Sequence, residues 1–117
     1  MAYLNILTQK GEEWIIDQLI TETLYGAWGT DGTEASKSDT ALGNEGSEGR
    51  VQATASEYQS DTIQWVFTIT ADGTKTIREC GLFTSQTGGN LIIRCNFADI
   101  NVNENDKIEF TIRMEAT

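Results

Sequence analysis

Between Thr62 and Met114 apolar and polar residues alternate almost without a break, and glycine-bearing turns cut the alternation into strand-sized pieces. A period of two places every second side chain on one face of an extended chain, the pattern of strands with one buried face. Ile63, Trp65, Phe67 and Ile69 form one such set, and Ile108, Phe110, Ile112 and Met114 form another. The chain has 117 residues, enough for one hydrophobic core without staples. The expected fold is all-β: an antiparallel, jelly-roll-like β-sandwich with one short N-terminal helix and a long irregular loop, in a single domain over residues 1–117.

The helix is expected over about residues 9–20. Thr8 is a suitable N-cap, and Glu12 and Glu13 favour the positive end of the helix dipole. Trp14, Ile15, Ile16 and Leu19 lie near one stripe, so Trp14 is expected to cement the helix to the sheet. Leu24 to Trp28 is a short strand candidate. From about 29 to 50 the chain is rich in Gly, Ser, Thr, Asp and Glu, with Ala35, Ala41 and Leu42 as its apolar anchors. This reads as a long loop, with Ser38-Asp39-Thr40 capping a single turn.

The sheet is expected over about 50–115. Arg50 to Glu57 is a first strand. Ala71-Asp72-Gly73-Thr74 and Gln86-Thr87-Gly88-Gly89 read as the turns of two successive hairpins, and Asp99 to Asp106 as a polar connection. A four-residue loop at Gln86–Gly89 sets Leu82 opposite Ile93 and Cys80 opposite Cys95, all on one apolar face. Directly opposed cysteines are near enough for a disulfide in some geometries, but the reading preferred for a cytoplasmic chain is two buried thiols acting as small hydrophobes. The same register brings Glu79 and Arg94 diagonal to each other, a cross-strand pair expected to fix register.

The side-chain inventory excludes several chemistries. The chain has no histidine, which removes Ser-His-Asp and Cys-His nucleophile systems and histidine-based metal sites. No phosphate loop with its lysine is present; Gly43-Asn44-Glu45-Gly46 has neither the spacing nor the lysine. Asp31-Gly-Thr-Glu34 and Asn103-Glu-Asn-Asp106 offer oxygen ligands without the twelve-residue pattern of an EF-hand. No catalytic, cofactor or metal residues are therefore assigned, and the chain is expected not to be an enzyme. Net charge is −10, with lysines and arginines scattered singly, which argues against nucleic acid or an anionic membrane as partner. Met1 to Asn5 has neither a basic region nor an apolar core, so synthesis in a cytoplasm without a secretory signal is expected.

Partner contacts are expected in the long loop, from Trp28, Asp31, Glu34, Lys37, Asp39, Glu45 and Glu48, and in the N-terminal segment 1–7. Trp28 is read first as a core or loop anchor and second as an aromatic that meets a partner or a sugar. The loop is expected to be separable from the fold, so that deleting 30–48 leaves the sandwich intact.

Several phrases carry a resemblance. Tyr25-Gly-Ala-Trp-Gly-Thr30, Ser38-Asp-Thr-Ala-Leu42, Glu45 and Glu48-Gly-Arg-Val51 come first. Phe67-Thr-Ile-Thr-Ala-Asp-Gly-Thr-Lys-Thr-Ile-Arg-Glu-Cys-Gly-Leu-Phe83 and Thr87-Gly-Gly-Asn-Leu91 follow, then Phe97, Ile100, Asn101 and Asp106-Lys-Ile-Glu-Phe-Thr111. Together they cover most of residues 20–112 and resemble small structural proteins of tailed-bacteriophage virions, of the head-decoration (cement) type. The resemblance implies a non-enzymatic protein on the capsid exterior, made in a bacterial host cytoplasm. It also implies that the chain binds the major capsid protein as a homo-oligomer, with a trimer favoured. The phrase Glu79-Cys-Gly-Leu-Phe83 is similar to one in tail-fibre and tail-collar proteins, which implies the alternative of a tail, fibre or baseplate component with receptor or glycan binding.

Overall fold

A computed structural model describes residues 5–116. Its elements are α1 (Gln9–Leu19), β1 (Tyr25–Gly29), β2 (Val51–Gln52), β3 (Thr54–Gln59), β4 (Thr62–Thr70), β5 (Lys75–Phe83), β6 (Leu91–Val102) and β7 (Lys107–Glu115). The strands form two antiparallel sheets, one in the order β2-β1-β5-β6 and the other β3-β4-β7. The fold is an all-β sandwich with one short helix. Its body is elongated, measuring 59 × 28 × 25 Å.

The alternating residues do what their period dictates. Ile63, Trp65, Phe67 and Ile69 of β4 are all buried, and Phe110 and Ile112 of β7 come to lie opposite Phe67 and Trp65. From the facing sheet Trp28, Ile77, Cys80 and Leu82 complete the main core. Phe110 is its hub: Phe67 stacks on it at 5.1 Å, and Trp28 meets it edge-on at 6.4 Å. Gly26 leaves room for this, because a Cβ there would stand 2.3 Å from the Phe67 ring. The indole N–H of Trp65 is buried without a partner.

The β5–β6 hairpin has the expected register, with Leu82 opposite Ile93 and Cys80 opposite Cys95. Both cysteines are free thiols. The turn at Ala71–Thr74 is not a hairpin. It carries the chain from β4 in one sheet to β5 in the other, and Asn103–Asp106 carries it back from β6 to β7. The two crossings brace each other, Ala71 N–H donating to Asp106 C=O and Asn105 N–H to Ala71 C=O, both at 2.8 Å. An Asp-Gly turn reverses the chain whether or not the flanking strands pair. β4 finds better cover for its edges between β3 and β7. Residues 99–102 are strand rather than connection, since Lys75, Thr76 and Ile77 pair with Val102, Asn101 and Ile100. The strand expected over 50–57 is broken at Ala53, whose N–H turns to Leu24 C=O at 2.9 Å while the chain changes sheets.

Helix α1 starts where its cap dictates: Thr8 Oγ1 accepts from Gly11 N–H at 3.1 Å. Ile16 is its one buried residue, with Leu19 half-buried against the core. Trp14 does not cement the helix to the sheet; it is 63% exposed. The helix meets the core through Ile16 and Leu19, leaving Trp14 and Ile15 of its apolar stripe in solvent.

Candidate functional site

The long loop, residues 30–50, is the chain's distinctive feature, and the sequence of β1 explains where it lies. In Gly26-Ala-Trp-Gly29 the first and third residues face the sandwich core, so Ala27 and Gly29 face outward. The loop covers that outer face. Leu42 packs into a second small core with Ala27, Phe83 and Leu91. Close approach is possible because Gly29 has no side chain: a Cβ there would stand 2.4 Å from Asn44 O and 2.5 Å from Glu79 Oε2. The four-stranded sheet is thus the middle layer of three.

Polar groups hold this third layer at three points. At the centre stands Glu79, wholly buried on the outer face of β5. Its Oε2 accepts from Asp31 N–H at 3.0 Å and Asn44 N–H at 2.9 Å, and its Oε1 accepts from Gly43 N–H at 2.8 Å and Arg94 Nε at 3.0 Å. One carboxylate therefore satisfies amides from both limbs of the loop, which have no strand partner. Arg94, itself nearly buried, donates further to Asp39 Oδ2 at 3.2 Å and to Asp31 C=O at 3.3 Å. Burial alone would lower the Arg94 pKa; the bond and charge of Glu79, followed by Asp39, outweigh it and raise the value.

The second point is Glu48. Its carboxylate accepts from Trp28 Nε1 at 2.7 Å and Asp72 N–H at 3.1 Å, and pairs with Lys75 Nζ at 2.6 Å. Burial pushes the Glu48 pKa up, but the hydrogen bonds from Lys75, Trp28 and Asp72 together bring it below the ordinary value. The third is Arg50, paired with both oxygens of Glu45 at 3.1 Å, donating to Ser85 and Gly88 C=O, and lying 3.5 Å from the centre of the Phe83 ring.

The expected Glu79–Arg94 pair is therefore present, with a larger task than register. The seven expected contact residues fare differently. Trp28 is 1% exposed and Glu48 nearly as hidden, so neither presents a surface to a partner. A core position for the indole ring and a loop carboxylate within reach of its N–H account for both. Asp31 is spent on its own turn, accepting from Thr33 N–H and Oγ1, while Asp39 is held by Arg94 and Ser36 N–H. Glu45 is tied to Arg50. Glu34 and Lys37 stand exposed, and no ion pair engages them among the described residues. The loop is also packed and hydrogen-bonded into the body, which argues against the expectation that it can be deleted at no cost to the fold. Removing 30–48 would strip the cover from Ala27 and Phe83, take three backbone amides from Glu79 and take Asp39 from Arg94.

Between the loop and β6 lies an open depression of about 500 Å³, lined by Ala35, Ser36, Lys37, Asp39 and Leu91–Arg94. Of its charged groups, Asp39 and Arg94 pair with each other at 3.2 Å and Lys37 stands exposed.

The other candidate surface is the N-terminal end. Ile6 is 75% exposed and Leu7 52%, and with Trp14 and Ile15 they make four large apolar side chains in solvent within ten residues. Trp14, Ile15, Gln18, Leu19 and Glu22 line a shallow groove of about 290 Å³. Scattered apolar residues need no explanation, whereas a cluster on one short segment makes it a candidate contact surface. Of the expected contact segment 1–7, residues 1–4 lie outside the described residues. The sequence signal for this surface was the apolar stripe of α1, which also fits a helix packed on a sheet.

No helix among the described residues is long and apolar enough to cross a membrane. No protein-family profile matches this chain, and no curated protein matches it.

Proposed function

We propose that this chain is a non-enzymatic structural protein of a tailed-bacteriophage virion, a decoration protein that binds the outer capsid surface and adds contacts across the lattice. The observation that carries the reading is the pairing of a stiff, three-layered acidic body with an apolar helix end that the body does not use. The major capsid protein is the proposed partner, and α1 is the proposed foot. Burying Trp14, Ile15 and Leu7 against it would contribute about 1.5–3 kcal/mol each. The exposed loop rim, with Glu34 and Lys37, provides contacts to neighbouring copies or capsid subunits. Repetition over a lattice turns such modest contacts into firm attachment through effective concentration. A cement protein needs rigidity and exposed contact groups, and no catalytic constellation.

Two measurements test this. Quantitative mass spectrometry of purified particles should give a copy number of the same order as the major capsid protein. A number suited to a few tail rings or fibres would move the protein to the tail, and absence would end the structural reading. Trp14→Gln should weaken binding to undecorated capsids at least about tenfold, equivalent to about 1.4 kcal/mol, while leaving the fold unchanged. Unaltered binding would remove α1 as the foot.

A further inference from the structure

The geometry points to a reversible redox staple: Cys80 and Cys95, directly opposed across β5 and β6, are placed to form an intrachain disulfide when the protein meets an oxidising small-molecule disulfide.

The register carries this inference. Cys80 and Cys95 are Cα partners in an antiparallel pair. Opposed residues in such pairs have Cα atoms about 4.5 or 5.5 Å apart, and both values lie inside the range that disulfides span. Cross-strand Cβ separations of about 4.5–5.5 Å need to shrink only slightly to reach bonding geometry. β6 is an edge strand, so the small approach required is not resisted by a neighbour on its far side.

The two thiols differ in a way that suits stepwise exchange. Cys80 is 2% exposed and belongs to the main core, whereas Cys95 is half-buried and packs at the core's margin. An oxidant can therefore reach Cys95 first. The neighbouring Cys80 thiol draws the Cys95 pKa below its ordinary value despite burial, which favours Cys95 as the attacking thiolate. Cys80 is held up by its hydrogen bond to Cys95, by burial and by the charges of Cys95 and Glu79, so it waits as the resolving thiol.

The chemistry balances with oxidised glutathione as the disulfide. Cys95 thiolate attacks one of its sulfurs, forming a mixed disulfide and releasing one glutathione thiolate. Cys80 gives up its proton, attacks the Cys95 sulfur and expels the second glutathione. Two electrons pass from the cysteine pair to the oxidant, and both protons end on the two released thiols. The product joins an edge strand covalently to an interior strand. Such a bond would be absent in a reducing cytoplasm and present outside it.

The test uses the intact wild-type protein, reduced, then incubated natively with excess oxidised glutathione, quenched with an alkylating agent and mapped by mass spectrometry. The expected product lacks two hydrogens, resists alkylation and yields a linked peptide pair containing Cys80 and Cys95. Its melting temperature should rise by about 5–10 °C and fall back on reduction. Cys95→Ser should give no linked product. Persistent alkylation of both thiols, a glutathione adduct that never resolves, or disulfides formed only between molecules would each overturn the proposal.

Discussion

Replacing Glu79 by glutamine exchanges one carboxylate oxygen for an NH2 group in a site that contains donors alone. Four N–H groups converge there, two on each oxygen. Whichever way the amide turns, two of them face another donor. Charge-assisted hydrogen bonds are worth about 1.5–3 kcal/mol each, and Arg94 also loses the carboxylate nearest its Nε. Removing one partner of a buried ion pair costs about 3–5 kcal/mol. These figures describe the same loss seen from two sides, so the expected destabilisation of Glu79→Gln is about 3–5 kcal/mol. Domains of this size are stable by about 5–15 kcal/mol, so the variant should fold but stand near its limit. Urea denaturation would show it as a midpoint lowered by about 2 M. Glu109→Gln, an exposed carboxylate on the outer face of the three-stranded sheet, is the control and should move stability by no more than about 0.5 kcal/mol. Neutralising Arg94 as well should restore part of the loss, since the two residues share one network. The reasoning fails if Glu79→Gln behaves like the control while the amides of Asp31, Gly43 and Asn44 exchange as slowly as before.

Three further outcomes follow from the same structure. The depressed pKa of Glu48 means that its contribution to stability is complete above the ordinary value of 4.5 and disappears as pH falls through the folded-state value. Lys75, raised above 10.5 because the bonds and charges of Glu48 and Asp72 outweigh its burial, loses its contribution as pH climbs through its folded value. Melting temperatures should therefore fall at both ends, and Glu48→Gln should flatten the acid limb in a calorimetric pH series. Gly29→Ala pushes a methyl group against Asn44 O and Glu79 Oε2 and should cost about 1–3 kcal/mol, with faster proteolysis of the loop as the second readout. Trp65→Phe removes the buried N–H that has no partner. It should cost less than the roughly 3–5 kcal/mol of a Trp or Phe cut back to Ala, which equilibrium unfolding will resolve.

What could be read from residues alone depended on how local the deciding force was. The start of α1 was legible because Thr8 satisfies an amide three residues away. The β5–β6 register was legible because a short loop leaves one in-phase pairing with both apolar faces matched. The faces of β4 and β7 followed from period two. The Ala71–Thr74 turn misled because its residues describe a chain reversal and say nothing about which sheet receives the next strand. α1 misled for a related reason: an apolar stripe shows that a face prefers burial, not that this molecule supplies the cover, and here Ile16 and part of Leu19 are covered while Trp14 and Ile15 are not. Glu79 as the anchor of the loop left no pattern at all, since its partners are mostly backbone amides, which every residue except proline carries. Trp28 was read first as a core or loop anchor, and the phase of β1 turns it into the core.

The two sheet crossings also govern how the chain must come together. β4 lies beside β7, yet the whole β5–β6 hairpin separates them in the sequence, and β1 has to wait for β5. On a ribosome, β4 emerges with Ile63, Trp65, Phe67 and Ile69 bare, and Phe110 and Ile112 follow only when β7 has been made. Folding of such non-local pairings is slow and leaves sticky surface exposed meanwhile. The body therefore closes late and as one unit. A chain cut short inside β7 would be a half-sheet destined for chaperones and proteases, not a smaller working version of the protein.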